Sequence, residues 1–183
     1  FFASVAFLPL MLKQLRGQGI EVGGYVLTVA SLGWTLGSWI QSQSWLRLSR
    51  DAIVSLGVGM VTVGLAVASV CTFEPGLPLG LLVAGMTVAG AGMGLASSST
   101  SILAIQLSRA HELGRNTSSL QVGESIGNAL FAGVAGALFA LLKAGDQSVA
   151  SFGVPSLFAA ACALAALVMA LRIGHVDNLS ARG

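Results

Sequence analysis

Charged residues interrupt this chain rarely and in short clusters, and the stretches between them are long. Glu21 to Arg47 encloses 25 uncharged residues, Asp51 to Glu74 encloses 22, Glu74 to Arg109 encloses 34, and Asp146 to Arg172 encloses 25. A spanning helix needs about 20 mostly apolar residues. The pattern predicts helical segments over residues 1–12, 24–43, 52–71, 79–106, 118–142 and 154–171, followed by a polar tail over 172–183. Breakers stand between them: Gly17, Gly23 and Gly24, the run Pro75–Gly76–Leu77–Pro78, Gly114, Gly145, and Gly153 with Pro155. The runs lack period-two alternation and are about twice as long as barrel strands, so a β-barrel is excluded. The fold class is therefore all-α, a six-helix transmembrane bundle. Its first run has 12 residues before Lys13, too few to span. That run has neither the basic start nor the cleavage site of a signal peptide, and it reads as the end of a helix begun upstream.

Composition supports a lipid solvent. The 183 residues are 55% hydrophobic and 9% charged, with a mean hydropathy of +0.86. Soluble domains are about a quarter charged. The net charge of +2 is spread over the predicted loops, without the basic cluster of a nucleic-acid binder. Cys71 and Cys162 lie far apart in apolar runs and read as small buried hydrophobes, not as a disulfide. Loop charge sets the orientation. Lys13, Arg16 and Lys143 fall on one side, and Arg47, Arg50, Arg109, Arg115, Arg172 and Arg182 on the other. The positive-inside rule makes the second side cytoplasmic, with the C-terminus. The expectation is a multi-pass protein of the cell membrane.

Polar uncharged residues are shared unevenly among the segments. The second carries Thr28, Ser31, Thr35, Ser38 and Ser42 in one stripe, with Trp34 and Gln41 near it. The fourth carries Ser97, Ser98, Ser99, Thr100 and Ser101. The fifth carries Ser118, Gln121, Glu124, Ser125 and Asn128. These three segments are expected to face an interior, and the blander third and sixth to face lipid. Thr28, Ser31, Trp34, Thr35, Gln41, Ser98, Ser101, Gln121, Ser125 and Asn128 are the candidate cavity-lining residues. Serine and threonine hydroxyls can instead bond back to their own helix or join neighbouring helices. Small residues four apart, at Gly33 and Gly37, Gly90 and Gly94, and Gly123 and Gly127, predict close helix contacts. Ala129–Gly133 and Ala132–Gly136 continue that repeat.

Glu124 is the one ionisable residue inside a predicted helix. It lies about 10 Å from the cytoplasmic end of its segment, in a hydrocarbon core about 30 Å thick. A carboxylate there must face water, find a partner or take up a proton. Glu124 is thus the candidate proton-coupling residue, with Gln121 and Asn128 on its face. No predicted helix contains histidine, and the chain has no His-Glu-x-x-His and no Gly-x4-Gly-Lys. An enzyme, a metal site and ATP-driven transport are therefore unsupported. The rings of charge expected of a channel are also missing.

The loop Glu112–Leu–Gly–Arg115–Asn–Thr–Ser–Ser–Leu–Gln121 resembles the one before helix eleven in major facilitator superfamily transporters. Leu32–Gly–Trp–Thr–Leu–Gly–Ser–Trp–Ile–Gln41 resembles helix eight of bacterial members, and an acid at Glu124 resembles their drug-exporter-like branch. The resemblance runs from Phe1 to about Arg172. It implies helices seven to twelve of a carrier, a C-terminal half whose N-terminal half is a missing partner. Such halves are 3+3 inverted repeats around a midplane site. The implied function is secondary, proton-coupled transport of a small molecule, with efflux as the direction. It implies no cofactor beyond the proton gradient. The alternative is a channel or structural membrane subunit without carrier activity. Arg47, Arg50, Arg109, Glu112 and Arg115 become candidate cytoplasmic gating residues, although Gln41 stands where the family's gating loop carries an acid.

Overall fold

The computed structural model describes residues 1–43, 48–106, 108–109, 111–144 and 148–172. All regular structure among them is helical: α1 (Phe2–Arg16), α2 (Ile20–Gln41), α3 (Arg50–Phe73), α4 (Leu79–Gln106), α5 (Leu113–Ala144) and α6 (Ser148–Ala170). Helices satisfy their backbone groups internally, as hydrocarbon requires. By length and composition α3, α4, α5 and α6 can each cross a membrane. The 15 residues of α1 are too few. The 22 residues of α2 are long enough, but Glu21 and the hydroxyl stripe dilute its apolar character. Spanning by α2 therefore does not follow from its composition alone. The predicted tail, with His175 and Arg182, lies outside the described residues beyond Arg172, as do Trp45, Arg47 and Asp146.

α4 organises the bundle, because glycines on two of its faces let other backbones come close. On one face Gly90 lies against the Ala30 carbonyl and Gly94 against that of Trp34, both on α2. From the opposite direction, a Cβ on Gly33 would stand 2.5 Å from the Thr87 carbonyl, and one on Gly37 would strike Ala91. On the other face a Cβ on Gly57 of α3 would stand 2.6 Å from the Gly92 carbonyl, while Gly64 meets Gly85. Leu82, Met86 and Ala89 are wholly buried between these contacts. The predicted approach at Gly33, Gly37, Gly90 and Gly94 is thus observed. At Gly123, Gly127, Gly133 and Gly136 of α5 no atom lies close enough to meet an added Cβ. The same spacing there finds no partner among the described residues.

α3 exposes Leu56, Val63 and Val70 along one side, but its other sides are more covered than expected. Ten of its residues are buried, because α4 covers one side and α6 the other. Ser69 Oγ and Ser156 Oγ lie 2.8 Å apart across the α3–α6 contact, and the Phe73 ring fills the space over Gly153. A helix buried in protein and one facing lipid are equally bland in sequence. α5 is covered far less than α3 and α4, with Ala135 its one buried residue. α5 packs chiefly on α6, with Phe139 stacked between Phe7 and Phe152 at centroid distances of 5.2 and 5.0 Å.

Gly37→Ala should destabilise the chain by about 1–3 kcal/mol, since its methyl meets backbone that cannot give way. Gly127→Ala enters open space and should stabilise α5 by about 0.5–1 kcal/mol through lower chain entropy. Thermal unfolding in detergent micelles checks both, and equal effects at the two sites would contradict the packing described.

Candidate functional site

The polar face of α5 points the same way as its buried anchor. Ala135 lies 11 residues after Glu124, three helical turns along one face. Gln121, at i−3, and Asn128, at i+4, share that face. All three polar side chains are exposed, uncovered by the rest of the chain. The face is therefore turned toward the bundle but not closed over by it. No ion pair to Glu124 is found among the described residues.

Asn128 borders a cavity of about 340 Å³ between α1, α3, α4, α5 and α6. Its other walls are apolar, including Val61, Met93, Phe131, Phe158 and Cys162. Glu124 stands one turn along α5 from Asn128. Lining by Met93, Phe131, Phe158 and Cys162 had no signal in the sequence, because an apolar cavity wall and a lipid-facing stripe use the same residues. Trp34 belongs to a different, smaller cavity of about 120 Å³ with Phe1, Phe2 and Ser31. Its ring centroid is 5.8 Å from that of Phe1 and 5.7 Å from that of Phe2.

Most predicted lining hydroxyls are engaged locally. Thr28 donates to the Gly24 carbonyl at 2.9 Å, Ser31 to Leu27 at 2.9 Å and Thr35 to Ser31 at 3.1 Å. Ser101 and Ser125 likewise bond back four residues, at 3.1 and 2.9 Å. Ser98 instead donates to Ser38 Oγ at 3.2 Å and joins α4 to α2. These hydroxyls keep acceptor lone pairs, and their protons are committed in this state.

Gln41 is 7% exposed, and its Oε1 accepts from Arg50 Nη1 at 2.8 Å. The bond ties the end of α2 to the start of α3 across the intervening loop. Gln41 thus partners the first residue of α3, away from both cavities. At the other charged loop Arg115 Nη2 lies 3.2 Å from Glu112 Oε1, and Asn116 Nδ2 donates to Ser108 Oγ at 2.9 Å. Arg109 is exposed, and Arg47 lies outside the described residues. No group of three His, Cys, Asp or Glu side chains that could hold a metal occurs among the described residues.

The chain is similar to a multidrug resistance protein B homologue of Mycobacterium tuberculosis. The two are 31% identical over 138 residues, which is 70% of this chain and 25% of that protein. The chain thus spans about a quarter of the length of the curated relative it matches. No protein-family model matches it, and no solved structure does.

Removing Arg50 leaves the Gln41 amide buried with an unpaired oxygen. Arg50→Ala should cost about 1–3 kcal/mol, and Gln41→Leu with Arg50→Ala should recover part of that loss. A double-mutant cycle on thermal unfolding measures the coupling, which should be near zero if the contact does not matter.

Proposed function

We propose that the chain is the C-terminal six-helix part of a major facilitator superfamily carrier that exports a small molecule against its gradient using protons. The carrier would expose its site alternately to the two sides of the cell membrane by rocking this part against a second half. The C-terminus would lie in the cytoplasm. Two findings support membrane transport in the broad sense: helices apolar enough to span, and the likeness to a multidrug resistance homologue. The finer reading rests on the sequence resemblance and on one observation. Glu124 stands on the polar face of a long apolar helix, one turn from the cavity-lining Asn128, without a described cation beside it.

That placement suits a proton carrier. A carboxylate within a membrane helix must face water, find a partner or take up a proton. Alternating hydration would then load and release the proton in step with cargo. Gln121 and Asn128 would orient the carboxyl or the cargo through hydrogen bonds that need no charge.

Glu124→Gln should abolish proton-driven accumulation, at least about tenfold below the natural protein, while leaving cargo counterflow between loaded proteoliposomes intact. Loss of coupling with exchange retained supports a proton-coupled carrier. Wild-type coupling in Glu124→Gln would refute the role of Glu124. Flux without exchange acceleration in the natural protein would refute a carrier and favour a channel.

A further inference from the structure

Arg16 is the last residue of α1, and the way α1 ends aims it at a neighbour. Gly17 takes a left-handed turn, φ 60°, which glycine adopts at no steric cost. The Gln18 N–H closes back on the Leu12 carbonyl at 3.1 Å. The guanidinium then reaches across the bundle, where Nη2 donates to the Cys71 carbonyl at 2.7 Å and Nη1 to the Leu77 carbonyl at 2.8 Å. Cys71 lies in the last turn of α3, where carbonyls lack helical partners and the helix dipole favours a cation. Leu77 belongs to the turn that leads into α4. One side chain thus joins the end of α1, the end of α3 and the α3–α4 turn.

Elsewhere α1 packs on α2, where Gly23 lies against Pro9, and on α6 and α5. Leu8, Met11 and Leu12 share a core with Leu82, Met86 and Cys71. Those contacts hold the middle of α1, and the end that carries Arg16 lies beyond them. Pro9 stands inside α1 and removes a rung of its hydrogen-bond ladder. The helix therefore has a weak point near its middle and a directional clamp at its end.

We propose that Arg16 is a latch that locks α1 to the α3–α4 hairpin, and that its release frees this end of α1 to move. Both acceptors are backbone carbonyls held by α3 and by the turn, so the latch senses where those segments are. Its two bonds are charge-assisted and break together, because a shift of α1 carries the guanidinium away from both. The latch holds whatever the chain transports, and it stands apart from the role given to Glu124.

Cys71 supplies the reporter. It is wholly buried beside the clamp, whereas Cys162 lines the large cavity on α6. The rate of N-ethylmaleimide labelling at each cysteine is measured on the folded chain in micelles. Arg16→Ala should raise the Cys71 rate about tenfold or more, the scale of losing a charge-assisted bond, with the Cys162 rate unchanged. Arg16→Lys, which keeps the charge without the fork, should fall between. An unchanged Cys71 rate in Arg16→Ala overturns the latch. Equal acceleration at both cysteines also overturns it, since that is general loosening. If Arg16→Ala does not fold, Arg16→Lys decides alone: faster Cys71 labelling supports the latch and the natural rate overturns it.

Discussion

Backbone lying on backbone along α4 is the contact from which the arrangement of this bundle follows. Lipid offers no hydrophobic drive for one apolar helix to join another, so association depends on close packing. Glycines bring α4 against α2 on one face and against α3 on another. With those approaches fixed, the Gly33–Gly37 face of α2 is spent on α4, where Ser38 also meets Ser98, while Thr28, Ser31 and Thr35 bond back within α2. α3 is likewise committed, and its remaining side receives α6 through Ser69 and Phe73.

α5 is held by different means. Among the described residues its glycines meet no neighbour, and rings anchor it: Phe139 with Phe7 and Phe152, and Phe131 with Phe158 at 6.1 Å. Those rings and Ala135 lie in its second half, so the first half carries its polar residues without cover. A helix secured at one end by rings and free of interlocked backbone can tilt at low cost. Gln121, Glu124 and Asn128 ride on that part. The bundle thus pairs a closely packed block, α2 with α3 and α4, with a less covered helix that bears Glu124.

Much of this is legible in the sequence. Charge-free gaps located the helices, and 79–106 was read with the bounds α4 has. Glycine spacing found the α2–α4 seam. The same spacing misled on α5, because a small-residue repeat says that a neighbour can come close, not that this chain contains one. Burial of α3 was missed since protein and lipid select alike for apolar side chains. The serine stripes suggested a wet surface, and yet most of their protons go to carbonyls one turn back. Arg16 was read only as a loop charge. Nothing in its sequence neighbourhood signals two carbonyls some 55 and 61 residues away.

The central claim is that one face of α5 meets water while the opposite face meets lipid. Single cysteines placed at positions 121, 124, 128, 122, 126 and 130, in a background without Cys71 and Cys162, test it most directly. Their labelling by a charged, water-soluble thiol reagent in lipid vesicles gives the reading. Cysteines in place of Gln121, Glu124 and Asn128 should label quickly, and those replacing Val122, Ile126 and Leu130 slowly. Labelling that is uniform around the helix, or fastest at Val122, Ile126 and Leu130, would contradict it.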